Sequence, residues 1–491
     1  MSINNDRIDN FGTIISMFSG IAKISGLKEV SINEVLLDKN NNGVAVVVGF
    51  FGDVTEALFF EDNFDINEKV FASGKLFSIN ISESIIGRVL DGFGNQKDGF
   101  GDVKGESYTV FNKAPKVSDR KPVTRPLITG VKIIDTSLSI GKGQRELIVG
   151  DSKLGKSTLA ETIVLNQKNI DNPIYCVYVL IAQKKQKIRE LISLFEKNNT
   201  FLYTTIIAVP SDGSFAQIHL APFVGTAIGE YFRDRGKDVV IVYDDLTKHA
   251  KNYRNISLLL GRIPGREAYP ADVFSLHAKL LERSAQLSDE KGGGSLTSLP
   301  IVETYEGDIS SFIPTNIISI TDGQIFFENA LFQKGFLPAI NIGLSVSRIG
   351  STVQPKTLKG VVGSIRLVLA QHKELQKLAK LETKIGKDTL DKIHRGNLIL
   401  ELLKQYKHTK IDWTEQVVLF YVVEKGYFDD IDNKSWSLFE KLFLEVIRNI
   451  HFYILDDIAS GTFDDNTKLK IKKVVDEFKI EFLEKNNESI H

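Results

Sequence analysis

A glycine-rich loop with the spacing of a phosphate-binding site begins at residue 150, where the sequence is Gly-Asp-Ser-Lys-Leu-Gly-Lys-Ser. The glycines allow backbone N–H groups to surround an anion, Lys156 can reach terminal phosphates, and the hydroxyl of Ser157 can bind Mg²⁺. A strand-like run, 146–149, precedes the loop and a helical segment follows it, as this motif requires. We therefore predict a site for ATP or ADP with Mg²⁺. Its predicted nucleotide-binding residues in the loop are Gly150, Asp151, Ser152, Lys153, Leu154, Gly155, Lys156 and Ser157.

A second acidic element lies downstream, where the apolar run 239–243 ends in Asp244 and Asp245. A strand that ends in a carboxylate commonly orients the magnesium ion of a phosphate-binding loop. Strands also end in aspartate simply because a turn follows, which is the alternative explanation. With the loop upstream, we predict that Asp244 contacts the magnesium ion through a bound water molecule.

The distribution of proline divides the 491 residues into three zones, because proline interrupts both helices and sheet ladders. All twelve prolines lie between Pro115 and Pro355. At roughly 150 residues per domain, a chain of this length also predicts about three domains. We predict an N-terminal β-barrel at 1–94, a P-loop nucleotide-binding domain at 95–356 and an α-helical domain at 357–491.

The pattern of apolar residues predicts a different architecture for each zone. Before Pro115, short β-rich runs such as 43–51 and 75–81 alternate with turn signals, which predicts a small barrel or sandwich. The central zone alternates strand-like runs with segments of helical length, which predicts a parallel sheet covered by helices. After Pro355, apolar residues recur at helical spacing, for example over 358–375 and 439–450. The fold class is therefore multidomain α/β.

Charge and cysteine content exclude several classes of protein. The formal net charge is −1 with 25% charged residues, which gives no electrostatic reason to bind nucleic acid or an anionic membrane. The single cysteine, Cys176, lies in an apolar run and indicates a buried thiol in a reducing compartment. Neither a signal peptide nor an apolar run of about 18 residues occurs. We expect a cytoplasmic protein that reaches the inner face of the cell membrane only through other subunits.

Several ordered segments resemble the F-type ATP synthase family. The runs 126–135 (PLITGVKIID) and 140–147 (IGKGQREL) lead into the phosphate loop in this family's manner, whereas 264–270 (PGREAYP) and 338–348 (PAINIGLSVSR) resemble the alpha subunit in particular. The similarity extends over roughly residues 11 to 480. The resemblance implies a β-barrel crown, a nucleotide-binding domain and a helical C-terminal domain. It also implies three copies alternating with three catalytic beta-type subunits around a gamma-type central shaft.

Gln183 distinguishes this chain from the catalytic members of the family. They carry a glutamate that polarises the attacking water, and the corresponding stretch here, 179–184, is Val-Leu-Ile-Ala-Gln-Lys. An amide cannot accept a proton at neutral pH, so a general-base contribution of about 10²–10⁴ in rate is missing. We predict that Gln183 belongs to a nucleotide site that retains ATP without hydrolysing it. The alternative is a surface amide unconnected with the phosphate site.

The resemblance also implies a role for the segment Ser345-Val-Ser-Arg348. In alpha subunits its arginine reaches across the subunit interface to the terminal phosphate bound by the neighbour. Arg348 is therefore predicted to be a catalytic arginine finger in trans, and Ser345 is predicted to belong to the same catalytic segment. The alternative is an arginine that is solvated or ion-paired within its own chain.

The sequence departs from the alpha pattern at several positions. Near the expected adenine pocket, Pro338 and Gln405 are retained, but Leu337 and Lys407 replace an arginine and a glutamine. These two replacements mean that base selectivity does not transfer from the family. The loop residues 152–154 also differ from the alpha pattern, so the side-chain contacts of the loop do not transfer either. Only about ten residues precede the barrel segment at Phe11, which predicts that the helix attaching the stationary stalk is absent.

These departures, with abundant Asn, Lys, Ile and Phe, suggest a diverged F-type-like ATPase of the kind found beside the regular synthase in some wall-less bacteria. Such a complex is expected to work as an ATP-driven motor, in some cases for gliding, instead of a synthase. Two other functions compete with an alpha-type subunit. A homohexameric ATPase or translocase would have its own catalytic site, against which Gln183 and the near-neutral charge count. A scaffold that binds no nucleotide would leave the intact phosphate loop without a purpose.

Overall fold

The structure is a computed structural model that describes residues 10–168, 173–379, 386–428, 431 and 435–488. The segment whose shortness predicts a missing stalk helix is almost entirely residues 1–9, which lie outside the described residues.

The described chain contains eighteen β-strands and fifteen α-helices. The strands are β1 (Phe11–Phe18), β2 (Ile21–Ser25), β3 (Glu34–Leu37), β4 (Gly43–Phe51), β5 (Val54–Phe59), β6 (Lys69–Leu76), β7 (Ser78–Ile81), β8 (Val89–Leu90), β9 (Glu106–Thr109), β10 (Pro126–Leu127), β11 (Ile140–Gly141), β12 (Leu147–Asp151), β13 (Tyr175–Gln183), β14 (Thr204–Pro210), β15 (Asp238–Asp244), β16 (Ser295–Thr304), β17 (Gly323–Phe327) and β18 (Val346–Ser347). The helices are α1 (Lys132–Ser137), α2 (Lys156–Leu165), α3 (Lys185–Lys197), α4 (Phe215–Arg233), α5 (Leu246–Leu259), α6 (Val273–Leu281), α7 (Phe312–Ile320), α8 (Asn329–Gln333), α9 (Lys356–Val362), α10 (Ile365–Ala379), α11 (Lys387–Leu403), α12 (Trp413–Glu424), α13 (Trp436–Asn449), α14 (Phe452–Ala459) and α15 (Asp465–Glu488).

These elements form two compact units. The first unit consists of the described residues up to Val123 together with Lys142–Ser152 and the described part of Gln167–Gln324. The second unit consists of Thr124–Gly141, Lys153–Asn166 and the described residues from Ile325 onward. The phosphate loop is therefore divided, with its first three residues in the first unit and its last five in the second.

The first unit begins with a closed antiparallel barrel in the strand order β1-β2-β5-β4-β3-β6. Alternate residues of each strand point inward, as the two-residue period of a strand requires, and fill the barrel with aliphatic side chains and Phe59. The predicted barrel is confirmed. The run 75–81 belongs to two strands, because the chain changes partners at Phe77. β6 pairs with β3 before this residue, whereas β7 pairs with β9 after it.

The same unit contains a parallel sheet in the order β12-β16-β15-β13-β14-β8, as predicted for the central zone. Its central strands are buried along nearly their whole length, as expected for a parallel sheet with covered faces. Helix α4 packs on β13 and β15. Gly225 makes this contact possible, because a Cβ atom there would lie 2.5 Å from Cγ2 of Val179. The carboxyl ends of β13 and β15 are adjacent, and they carry Gln183 and Asp244.

The second unit is mainly helical, which confirms the prediction for the C-terminal zone. Helix α12 starts with a reciprocal capping box between Asp412 and Glu415 and packs on α9, α14 and α15. The ring centroids of Phe428, which follows α12, and Phe439 of α13 are 4.5 Å apart, and Phe439 also contacts aromatic rings of α15. The apolar run 358–375 forms two helices, α9 and α10, instead of one.

None of the helices within the described ranges combines the length and the apolar composition that crossing a lipid bilayer would require.

Candidate functional site

The phosphate loop joins the end of β12 to the start of α2, in the strand-loop-helix order that the motif requires. Gly155 precedes the helix with a φ of 101°, and Gly150 at the end of β12 has a φ of 154°. Glycine adopts such positive φ angles readily, whereas residues with a Cβ atom rarely do. Helix α2 is ten residues long and begins at Lys156, so the backbone N–H groups of its first turn and its dipole favour an anion beside the loop. The loop therefore fits a phosphate group.

The side chains of the loop have different environments. Lys156 is buried with 5% of its surface exposed, and Ser157 is half-buried in the first turn of α2. Asp151 accepts hydrogen bonds from Oγ1 of Thr304 at 2.6 Å and from the N–H of Gly307 at 2.8 Å. These hydrogen bonds of Asp151 hold the loop in place. Its side chain does not suit phosphate binding, because a carboxylate would repel phosphate. Of the variable positions, Leu154 is buried, whereas Ser152 and Lys153 are exposed.

Gln183, at the end of β13, is buried and hydrogen-bonded through both atoms of its amide. Its Nε2 donates to Oδ1 of Asp244 at 2.8 Å and to the carbonyl oxygen of Asp244 at 2.9 Å. Its Oε1 accepts a hydrogen bond from Nζ of Lys248 at 2.7 Å. Only 4% of the Gln183 surface is exposed, so the residue is not a surface amide. The place where a general base is expected is filled by a fixed, neutral group.

Asp244 is enclosed by donors on both carboxylate oxygens. Oδ1 accepts from Gln183, and Oδ2 accepts from Nζ of Lys187 at 2.8 Å and from the hydroxyl of Tyr178 at 3.3 Å. The carboxylate is 2% exposed, so Lys187 neutralises its charge inside the protein. A carboxylate such as that of Asp244 is a suitable partner for the implied magnesium ion. A water molecule bound to the metal could reach Oδ2 only if Lys187 moved away.

The next carboxylate, Asp245, has a different task. Its Oδ1 accepts a hydrogen bond from the backbone N–H of Lys248 and so caps the N-terminus of α5. Burial raises the pKa of Asp245 to about 7, with Lys248 opposing the shift and the negative charges of Asp244 and Glu303 adding to it. Asp245 is therefore a structural cap.

In the second unit, two serines fix the segment that carries Arg348. Ser345 is 2% exposed, and its hydroxyl donates to the carbonyl oxygen of Asn341 at 2.6 Å and accepts from the N–H of Phe326 at 2.9 Å. Ser347 donates to the carbonyl oxygen of Ser139 at 2.9 Å. Arg348 itself is exposed, and its guanidinium has no ion-pair partner among the described residues.

The residues expected near an adenine pocket also lie in the second unit. A cis peptide bond joins Leu337 to Pro338, and the carbonyl oxygen of Leu337 accepts from the N–H of Gln405 at 2.9 Å. The Gln405 amide donates to the carbonyl oxygens of Gly130 at 2.8 Å and Thr409 at 3.0 Å, and it accepts from the N–H of Lys132 at 2.8 Å. Both of its N–H donors are therefore used inside the fold. Lys407 is exposed.

Sequence reasoning missed two lysines, Lys187 and Lys248, that contact Asp244 and Gln183. A signal was present for each. Lys187 belongs to a lysine-rich run that directly follows Gln183, and Lys248 follows Asp244 by four residues, in the first turn of α5. Neither signal specified a partner before the strand ends were known to be adjacent.

The match to known proteins is consistent with this fold and this loop. Residues 130–347 match the nucleotide-binding domain of the ATP synthase alpha/beta family, and residues 354–478 match the C-terminal domain of the ATP synthase alpha/beta chains. The chain belongs to the ATP synthase alpha/beta family.

Within that family, three similar curated proteins are alpha subunits. The chain is 43% identical over 491 residues to ATP synthase subunit alpha of Aquifex aeolicus, covering 97% of this chain and 95% of the relative. It is 41% identical over 493 residues to the subunit of the same name from Ehrlichia ruminantium, covering 97% of both chains. The Ehrlichia canis subunit is 42% identical over 489 residues, or 97% of this chain and 96% of the relative. The resemblance predicted from the ordered segments is confirmed.

Proposed function

We propose that this chain is the alpha-type, nucleotide-binding but non-catalytic subunit of a rotary F-type ATPase head. In this proposal, three copies alternate with three catalytic beta-type subunits around a gamma-type central shaft. The observation that carries the non-catalytic role is the position of Gln183. Its amide is held at both ends beside Asp244, and a neutral amide cannot accept the proton of an attacking water.

The proposed ligand is ATP or ADP with Mg²⁺. Lys156 contacts the terminal phosphates, and the Ser157 hydroxyl is the protein's direct ligand to Mg²⁺, at the start of a helix that favours anions. When bound, Mg²⁺ supplies positive charge that neutralises the phosphates. Asp244 is proposed to contact the ion through water. Without a general base, the nucleotide remains bound and has a structural role.

Arg348 is proposed to act in the neighbour's site. It is exposed and has no ion-pair partner among the described residues, which supports a guanidinium available to another subunit. Phosphoryl transfer spreads negative charge over the transferred group, and the planar guanidinium can stabilise that charge. Arg348 thus supplies the arginine finger in trans, while Ser345 holds the segment in place.

The assembled complex is proposed to couple ATP hydrolysis or synthesis to rotation of the shaft at the inner face of the cell membrane, to which other subunits attach it. A narrower form of the proposal is an ATP-driven motor, as in gliding, that does not synthesise ATP.

The test compares the purified chain with the chain mixed with the beta-type subunit from the same source. The chain alone should bind ATP and hydrolyse it only at the background rate, whereas the mixture should form a heterohexamer that turns ATP over. A ring composed only of this chain with rapid hydrolysis would instead support the homohexameric ATPase.

A further inference from the structure

The ion pair between Lys187 and Asp244 lies where a carboxylate is proposed to face magnesium. Nζ of Lys187 is 2.8 Å from Oδ2 of Asp244, and the carboxylate is 2% exposed whereas the lysine side chain is 33% exposed. The lysine therefore enters from the partly open side of the carboxylate. The remaining contacts of this carboxylate come from Gln183 and Tyr178, which are buried and neutral.

If Mg²⁺ binds beside Asp244 as proposed, it and Lys187 would compete for the same carboxylate oxygen. A buried carboxylate needs a positive partner, and Lys187 provides one without metal. A water molecule on Mg²⁺ would need the lone pairs of Oδ2 that Lys187 now occupies. The ammonium would also repel the ion at short range, because both carry positive charge.

Because Lys187 is on α3 and has a long, flexible stem, it can leave the carboxylate without moving the strands. Lys185, on the same helix, pairs with a different carboxylate. It pairs with Asp212 at 2.6 Å, and both side chains are about 60% exposed, at 60% and 62%. This pair is exposed to water, which screens its charges.

We propose that Lys187 is a built-in counter-ion that competes with magnesium for Asp244, so that this chain's site binds nucleotide with an unusually small preference for Mg²⁺. The inference rests on the proposed magnesium role of Asp244. Lys187 is then a positioning residue, and it sets how strongly metal binding and nucleotide binding depend on each other.

The experiment measures ATP affinity of the full-length chain by calorimetry, once with Mg²⁺ and once with a chelator in place of the metal. The ratio of the two affinities is the metal coupling. Lys187→Gln should raise this coupling about tenfold, the order expected for removing one adjacent positive charge. Lys187→Arg keeps the charge and should leave the coupling near the wild-type value. Lys185→Gln is the matched control and should change nothing.

A second readout does not depend on calorimetry. Mn²⁺ replaces Mg²⁺ as the probe, and electron paramagnetic resonance measures how much Mn²⁺ binds to the chain in the presence of ATP. Lys187→Gln should bind Mn²⁺ more tightly than the wild type by the same factor. Equal coupling in the wild type and Lys187→Gln, in either measurement, would overturn the inference.

Asp244→Asn separates this inference from the proposal on which it rests. If Asp244 contacts the metal, Asp244→Asn should lower the coupling, and Lys187→Gln should have no further effect in that background. If Asp244→Asn leaves the coupling unchanged, the magnesium role of Asp244 fails and the inference fails with it. If Asp244→Asn lowers the coupling but Lys187→Gln does not raise it, only the inference fails.

Discussion

Nε2 of Gln183 lies 2.8 Å from Oδ1 of Asp244, so an uncharged amide donates a hydrogen bond to the carboxylate at the end of the neighbouring strand. Lys248 fixes the orientation of that amide by donating to its oxygen. A glutamate at this position would have no N–H group to donate and would place two carboxylates in contact. The contacts at the ends of these two strands therefore match an amide at position 183 and not a carboxylate.

The first prediction tests this fit. Gln183→Glu should lower the free energy of unfolding by roughly 1–3 kcal/mol at pH 8, because a buried hydrogen bond is lost and like charges meet. The loss should be smaller at pH 5, since a protonated glutamate regains a donor. Denaturant unfolding of the isolated chain at both pH values measures the effect.

Gln186→Glu is the matched control for this substitution. Gln186 is exposed on α3 beside Glu190, so its replacement should change the free energy of unfolding by less than about 0.5 kcal/mol. A Gln183→Glu chain as stable as the wild type at both pH values would show that the amide is dispensable.

The second prediction concerns Lys156. Lys156→Ala should abolish nucleotide retention by this chain, because the loop loses the ammonium that contacts the phosphates, while the assembled complex keeps measurable hydrolysis. Bound nucleotide after gel filtration and steady-state hydrolysis are the two measurements. Lys168→Ala removes an exposed lysine that lies outside the loop, after α2, and should preserve retention. Loss of hydrolysis as severe as that from removing the partner's loop lysine would contradict a non-catalytic site.

The third prediction is the sharpest for the partner's site. An arginine finger supplied in trans is worth about 10³–10⁵ in rate, so Arg348→Lys should reduce hydrolysis by the reconstituted complex by at least about two decades. Assembly and ATP binding by the partner should remain nearly intact, because lysine keeps the charge but loses the planar fork. Arg189→Lys, at an exposed position of α3, serves as the control. Turnover within a few-fold of wild type would remove Arg348 from the role of finger.

The fourth prediction concerns a buried histidine cluster in the first unit. Nδ1 of His249 is 3.1 Å from Nε2 of His277, and Nε2 of His249 is 3.1 Å from the carbonyl oxygen of His219. Burial lowers the pKa of His249 to about 4 and that of His277 well below its usual value of 6.5. Below pH 6.5, these histidines therefore bind protons in the unfolded chain but stay neutral in the folded chain.

The contribution of His249 to stability is thus complete above pH 6.5 and is lost as the pH falls towards about 4. The loss should amount to roughly 3 kcal/mol, at about 1.4 kcal/mol per pKa unit. His249→Gln should make the free energy of unfolding less dependent on pH in this window, whereas His451→Gln, at the start of α14, should not. Identical pH profiles for the wild type and His249→Gln would contradict the prediction.

The sequence was sufficient for the elements whose signal is local. The barrel strands, the phosphate loop and the strand end at Gln183 all follow from short-range patterns of apolar residues, glycine and charge. The same local reasoning could not find the ion pair of Lys187 with Asp244, because the pairing depends on β13 and β15 being neighbours although about sixty residues separate their ends. Contacts between strands distant in sequence are decided by the whole sheet.

Gln405 shows the same limit from another direction. The resemblance predicts a place for it near adenine, but its amide joins the turn at Gly130 across more than 270 residues of chain. The helices α1 and α2 likewise group with the C-terminal helices, although composition assigns them to the central zone. The two compact units combine segments that are distant in the chain. The positions of the prolines can divide the chain only into consecutive zones.

The two hydroxyl anchors of the arginine segment, Ser345 and Ser347, have a consequence for the entropy of association. A loop that ordered only on docking would lose about 1–2 kcal/mol of backbone freedom per residue. Here the backbone is already tied to Asn341 and Ser139 before any neighbour arrives. If Arg348 docks on a neighbouring subunit as proposed, docking would immobilise little more than its side chain, whose rotamer freedom amounts to about 2 kcal/mol. Most of the entropy cost of ordering the segment would then have been met before association.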